Sequence, residues 1–153
     1  MDNIVVVGGG AAGVAAVETL RAGGFTGSLA LVCGEPELPY DRPPLSKQVL
    51  TGAWDPDRTR FRQASHYADL NVRLVHGAAR SLDAASRTVE LGDGYRLGYD
   101  GLIIATGVRP RLLPSGHELA GVHVLRGLAD VAALRSAFEA ASADAASRRS
   151  HGR

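Results

Sequence analysis

Polar Met1-Asp2-Asn3 gives way at once to four consecutive β-prone apolar residues, Ile4-Val5-Val6-Val7. A run without polar alternation suits a strand buried on both faces, as in a parallel sheet. The period then changes: Val14, Val17, Leu20 and Arg21 continue a helical spacing as far as Gly23-Gly24, where a helix stops. A second apolar run, Leu29 to Val32, ends near Glu35, so the opening of the chain reads as β-α-β. Pro36, Pro39, Pro43 and Pro44 then forbid a regular helix or a central strand, with Pro44 suited to the first turn of a short helix through Leu50. Trp54-Asp55-Pro56-Asp57 is a turn, Phe61 to Leu70 carries the spacing of a short helix, and Val72 to Val75 is a strand. Arg80-Ser81-Leu82 starts another strand, and Thr88 to Leu91, Gly92-Asp93-Gly94 and Tyr95 to Leu97 read as a hairpin. Tyr99 to Gly107 is a further buried strand ending in small residues, and Val122 to Arg126 a short one. Asp130, Val131, Leu134 and Phe138 start a helix with one apolar stripe. From Ala140 to Arg153 there is no large apolar residue, so this stretch can extend the helix at first but cannot build another strand.

Candidate chemistry begins at the first turn. Gly8, Gly10 and Gly13 fall on the GxGxxG spacing of a dinucleotide-binding turn: Gly8 for the sharp exit from the strand, Gly10 for close approach of the backbone to a pyrophosphate, Gly13 for tight helix packing. Glu35 lies about twenty residues further on, the separation expected of a carboxylate that binds an adenosine ribose. In the proline-rich loop Arg42 could neutralise a pyrophosphate, and Lys47 could reach a polar edge of a ring system. A glycine-rich turn that is only a turn, and a loop whose charges are merely solvated, fit the same letters.

Composition narrows the field without choosing within it. A chain of 153 residues is enough for one domain with its own core, or for part of a larger protein. Only 5% of residues are aromatic, so the core is expected to be Val, Leu, Ile and Ala. The net charge of +1, with no basic face, gives no reason to expect nucleic acid or an anionic membrane. The longest uncharged apolar run, Ile4 to Val17, is shorter than a bilayer span, and no signal core follows Met1, so a cytoplasmic protein is the simple expectation. Cys33 stands alone, cannot make an internal disulfide, and is expected to be buried at the end of the second strand. The five histidines lack metal-ligand spacing with cysteines or acids, and Ser46 is not in a GxSxG elbow, so neither metal nor hydrolase chemistry is supported.

The run Pro39-Tyr40-Asp41-Arg42-Pro43-Pro44-Leu45-Ser46-Lys47, placed behind a GxGxxG unit, resembles the FAD-dependent ferredoxin reductases that serve oxygenases and cytochromes P450. These are flavoproteins of the putidaredoxin, rhodocoxin and rubredoxin reductase type, similar to the pyridine nucleotide-disulfide oxidoreductases. The resemblance implies an α/β, Rossmann-like FAD-binding fold with a parallel sheet and a small antiparallel β insertion, incomplete in this chain. It implies FAD as cofactor, with NAD(P)H a co-substrate of the full-length family, and an iron-sulfur protein of the ferredoxin or rubredoxin type as electron acceptor. By the same resemblance Gly8, Gly10, Ala11, Ala12 and Gly13 hold the pyrophosphate, Glu35 the adenosine ribose and Arg42 the phosphates. Lys47 lies toward the reactive edge of the flavin, and Arg80 beside the adenine with backbone contact only. Ala105-Thr106-Gly107 matches the ATG strand of such folds, and Arg126 a position that contacts FAD.

The resemblance covers residues 2 to about 139, roughly the first third of a family member. The expectation is therefore a segment of an FAD-binding domain over 1–139 and a disordered polar tail over 140–153, with the NAD(P)H and C-terminal domains absent. A truncated, non-catalytic nucleotide-binding module and one half of a split flavoenzyme with a separately encoded remainder are the rival readings. Disulfide reductases of this architecture need a Cys pair near Leu45 to Lys47, and none exists, which excludes thiol reductase chemistry.

Overall fold

A computed structural model describes residues 1–150; the last residues of the expected tail, 151–153, lie outside the described residues. The elements are β1 (Asn3–Val7), α1 (Ala11–Ala22), β2 (Ser28–Cys33), α2 (Ala64–Asp69), β3 (Val72–His76), β4 (Ala79–Asp83), β5 (Thr88–Leu91), β6 (Arg96–Gly98), β7 (Gly101–Ile104) and α3 (Leu128–Ser150), with 3-10 turns at Pro43–Ser46 and Pro56–Thr59. Their contacts divide the chain into two units, residues 1–41 with 60–107, and residues 42–59 with the chain from Val108 onward.

In the first unit a four-stranded parallel sheet has the order β3-β2-β1-β7. The register pairs Val7 with Val32 on one side and with Ile104 on the other. Side-chain alternation sends Ile4, Val6, Leu29, Leu31 and Val72 into one core with Val14 and Val17 of α1 and Tyr67 of α2. Val5, Val7, Ala30 and Val32 enter a second core with Val89, Leu91 and Leu97 of the antiparallel sheet β4-β5-β6. Both faces of β1 and β2 are thus covered, which is why these strands read as unbroken apolar runs. Val5, Val6 and Leu31 are at most 1% exposed, each contributing about 1.5–3 kcal/mol of burial.

Arg21 clasps the end of α1 to its surroundings. Its Nε donates to the Leu70 carbonyl (2.7 Å), Nη1 to those of Phe25 (2.6 Å) and Gly27 (2.9 Å), and Nη2 to that of Asn71 (2.8 Å). The planar fork serves four acceptors that an ammonium could not reach together. Arg21→Ala is expected to lower stability by about 2 kcal/mol, or roughly 4–8 °C in the melting midpoint, and Arg21→Lys to recover less than half of it. A thermal melt followed by circular dichroism checks this, and an unchanged midpoint would show that the clasp contributes nothing.

In the second unit Leu45, Val49 and Val131 are buried, and α3 packs on the turn Pro43–Ser46. Two expectations are corrected here. The short helix through Leu50 is a 3-10 turn followed by bonds of mixed register: Lys47 N–H reaches Pro44 O three residues back, but Val49 N–H reaches the same carbonyl five back. Val122 to Arg126 is not a strand: Val122 and Val124 are exposed, Val122 N–H closes a turn on Leu119 O, and the amides of Arg126 and Gly127 are taken by Asp130 Oδ2. Beyond Phe138 α3 runs on to Ser150, in keeping with the high helix propensity of the alanines there.

Candidate functional site

The order of the parallel sheet locates a crevice. From β1 the chain moves outward to β2 and then β3, and later returns to place β7 on the opposite side of β1. Open α/β sheets bind ligands beyond the carboxyl ends of the strands at such a switch point. Two of the stretches singled out in the sequence leave the sheet there: Gly8 to Gly13 from β1, and Ala105-Thr106-Gly107 from β7. They are in direct contact, since a Cβ on Gly8 would meet Ala105 O at 2.1 Å. Ala105 N–H donates to Val7 O (2.8 Å) and Gly8 N–H to Val32 O (2.9 Å), so the turn is tied to both neighbouring strands.

The three motif glycines prove unequal. Gly8 sits at φ +123° under the Ala105 carbonyl, and a Cβ on Gly13 would lie 1.8 Å from Gly8 O, with Leu31 Cδ1 at 3.2 Å. Both are explained by backbone conformation and the approach of α1 to the strand end. Gly10 is different: as N-cap of α1 it has φ −85° and ψ −175°, extended backbone open to any residue, and a Cβ there would meet nothing within 4 Å. Nothing inside the protein demands a glycine at Gly10. Above it the amides of Ala11, Ala12 and Gly13 open α1, whose first turn carries no acidic side chain. A helix start of this kind favours an anion through its free N–H groups and its dipole.

Glu35 follows β2 at the same end of the sheet and is half-buried. Its carboxylate accepts a hydrogen bond from Tyr40 Oη, and its carbonyl one from His76 Nδ1 (3.2 Å). Arg80, exposed on β4, and Thr106 are among the residues that line a cavity of about 190 Å³, with Val7, Leu82, Val89 and Leu102. The first unit therefore brings together the glycine turn and Ala105 to Gly107, with Glu35 beyond the end of β2.

The remaining basic residues belong to the second unit. Arg42 donates from Nη1 to the Arg126 carbonyl (2.8 Å), and the amide of Arg126 donates to Asp130 Oδ2 (2.8 Å), so the first turn of α3 and Arg42 hold the Arg126 backbone from both sides. Lys47, exposed at the end of the 3-10 turn, completes the set.

Cys33 is the last residue of β2, 3% exposed, with Sγ 2.9 Å from the position a Cβ on Gly9 would take. Burial, helped by the charge of Glu35, pushes its thiol up to about 11. Burial likewise raises the Tyr67 phenol to about 12, with Cys33 and Glu18 adding to the shift. A protonated, enclosed thiol packs like a small apolar side chain and is no nucleophile. Among the described residues no cluster of His, Cys, Asp and Glu could hold a metal ion, and no helix is long and apolar enough to cross a membrane.

Sequence reasoning gave no role to Tyr40 or His76. Tyr40 stood inside the recognised loop, but its contact with Glu35 depends on a long-range pairing of Tyr40 with Arg60 that no local pattern announces.

A parallel sheet with a glycine turn at its switch point and an antiparallel three-stranded excursion before its last strand defines a Rossmann-like dinucleotide-binding fold. The chain belongs to the pyridine nucleotide-disulphide oxidoreductase family, whose pattern matches residues 2–145. It is similar to rhodocoxin reductase of Rhodococcus erythropolis, 41% identical over 142 residues that make up 92% of this chain and 33% of that protein. It is also similar to the ferredoxin–NAD(+) reductase subunit of the benzene 1,2-dioxygenase system of Pseudomonas putida, 36% identical, covering 90% of this chain and 34% of the relative. Among solved structures, the ferredoxin reductase for the CYP199A2 system from Rhodopseudomonas palustris superposes with a TM-score of 0.82 at 34% identity, covering 89% of this chain and 34% of that one. The chain thus spans about a third of the length of the relatives it matches.

Proposed function

We propose that this chain is the FAD-binding portion of an NAD(P)H-dependent ferredoxin reductase. The observation that carries the reading is Gly10: a glycine that neither backbone conformation nor packing requires, at the start of a helix on the switch point of the sheet. A bound pyrophosphate close to the main chain accounts for it, because a Cβ would project into the space such a group fills. The residues present fit the cofactor. In this reading Gly8 and Gly13 shape the turn, Gly10 and the amides of Ala11, Ala12 and Gly13 hold the pyrophosphate, and Glu35 accepts the ribose hydroxyls. Arg42 neutralises the phosphates, and its hydrogen bond to the Arg126 carbonyl orders it in advance. Ala105 to Gly107 and Arg126 line the flavin nucleotide, Lys47 lies toward the ring, and Arg80 offers only its backbone near the adenine.

When bound, the flavin supplies the exchange between a two-electron nicotinamide donor and a one-electron acceptor. The protein's own share is to position that group and to shape its electrostatics. The names of the relatives, which pair a ferredoxin with NAD(+) or NAD(P)(+), support a ferredoxin as acceptor and a nicotinamide nucleotide as donor for the whole protein. The single, buried Cys33 is in keeping with flavin rather than dithiol chemistry. A soluble cytoplasmic setting accompanies this reading.

Thermal melts with FAD and with NAD at equal concentration test the choice of nucleotide. At a hundredfold excess over its dissociation constant FAD should stabilise the fold by about 2.7 kcal/mol, or roughly 5–10 °C, with NAD giving a smaller shift. A larger shift with NAD would overturn the assignment of the turn to FAD.

A further inference from the structure

We infer that Tyr40 is a positioning residue for the adenosine end of the dinucleotide, its hydroxyl holding the Glu35 carboxylate in the orientation that receives the ribose diol. This rests on the reading of Glu35 as the ribose ligand and deepens it. A glutamate has three side-chain torsions, and one that is only half-buried at the end of a strand spends much of its time turned into water unless something fixes it. Here both ends are fixed. His76 Nδ1 donates to the Glu35 carbonyl (3.2 Å), and Tyr40 Oη donates to Glu35 Oε2.

Tyr40 can impose an orientation because it is itself immobile. It is 5% exposed, its backbone forms an isolated antiparallel bridge with Arg60, and the adjacent Pro39 carbonyl accepts from Phe61 N–H (3.0 Å). A carboxylate ordered before the ligand arrives loses less freedom on binding, so the benefit appears as affinity that depends on the ribose hydroxyls.

The test measures affinities of ADP and 2′,3′-dideoxy-ADP, by calorimetry, for the chain as it stands, for Tyr40→Phe, for Glu35→Ala and for the double variant. The parent should prefer ADP by roughly tenfold, the worth of one hydrogen bond to a charged group. Tyr40→Phe, which keeps the buried ring, should shrink that preference to about threefold or less while leaving dideoxy-ADP binding unchanged. In the Glu35→Ala background the same substitution should do nothing. If Tyr40→Phe retains the full preference, or weakens both ligands equally, Tyr40 only clasps the loop and the inference fails alone. If the parent binds both ligands equally, or neither, the ribose role of Glu35 fails and takes the inference with it.

Discussion

Gly13→Ala should unfold this protein roughly 6–12 °C below the parent, the largest single stability loss expected of any methyl group added to the glycine turn. The new Cβ would stand 1.8 Å from Gly8 O and 3.2 Å from Leu31 Cδ1. The first contact is with backbone, so no side chain can rotate away from it. Either α1 moves off the sheet, opening the core around Val14 and Val17, or Gly8 shifts out from under the Ala105 carbonyl and breaks the junction between β1 and β7. Overpacking of this kind costs about 3 kcal/mol or more. Melts followed by circular dichroism check it, and a midpoint within 2 °C or so of the parent would mean that the helix can ride out from the strand at little cost.

Most of the first unit was legible because its signals are local or strictly periodic. The runs Ile4 to Val7 and Leu29 to Val32 announce strands buried on both faces, and the structure covers one face with α1 and α2 and the other with β4-β5-β6. The hairpin of β5 and β6 was legible from Gly92-Asp93-Gly94, where Gly94 adopts φ +85°. The segment Val122 to Arg126 carries the same strand letters and forms no strand. Pairing is decided by what lies alongside, and here Asp130 claims the amides that a ladder would have used. The prolines of the loop after Glu35 showed what could not form, but not that Tyr40 folds back onto the carboxylate, because that depends on Arg60 some twenty residues away.

Motif position alone assigns different roles to Gly8, Gly10 and Gly13. What the sequence does not contain is the surroundings of each: that a Cβ would strike backbone at Gly8 and Gly13 and meet nothing within 4 Å at Gly10 is visible only in the structure. The same holds for Arg42 and Arg126, both read as cofactor contacts, of which the guanidinium of one also binds the main chain of the other.

The contrast at Gly10 leads to the second large effect. Gly10→Val should lower FAD affinity by about a hundredfold or more while leaving the fold nearly intact, the reverse of the outcome at Gly13. At φ −85° and ψ −175° a β-branched residue is comfortable, and no protein atom lies within 4 Å of the added Cβ. The loss in stability is therefore confined to a poorer N-cap, about 1 kcal/mol. The valine side chain instead occupies the space over the first turn of α1, and holds a pyrophosphate away from the N–H groups of Ala11, Ala12 and Gly13. Two charge-assisted hydrogen bonds lost there account for the expected fall in affinity. The measurement is FAD titration followed by quenching of flavin fluorescence, with a melt of the unliganded variant alongside. A Gly10→Val protein that melts near the parent and binds FAD equally well would show that no phosphate sits on this turn, and the dinucleotide reading would lose the observation it stands on.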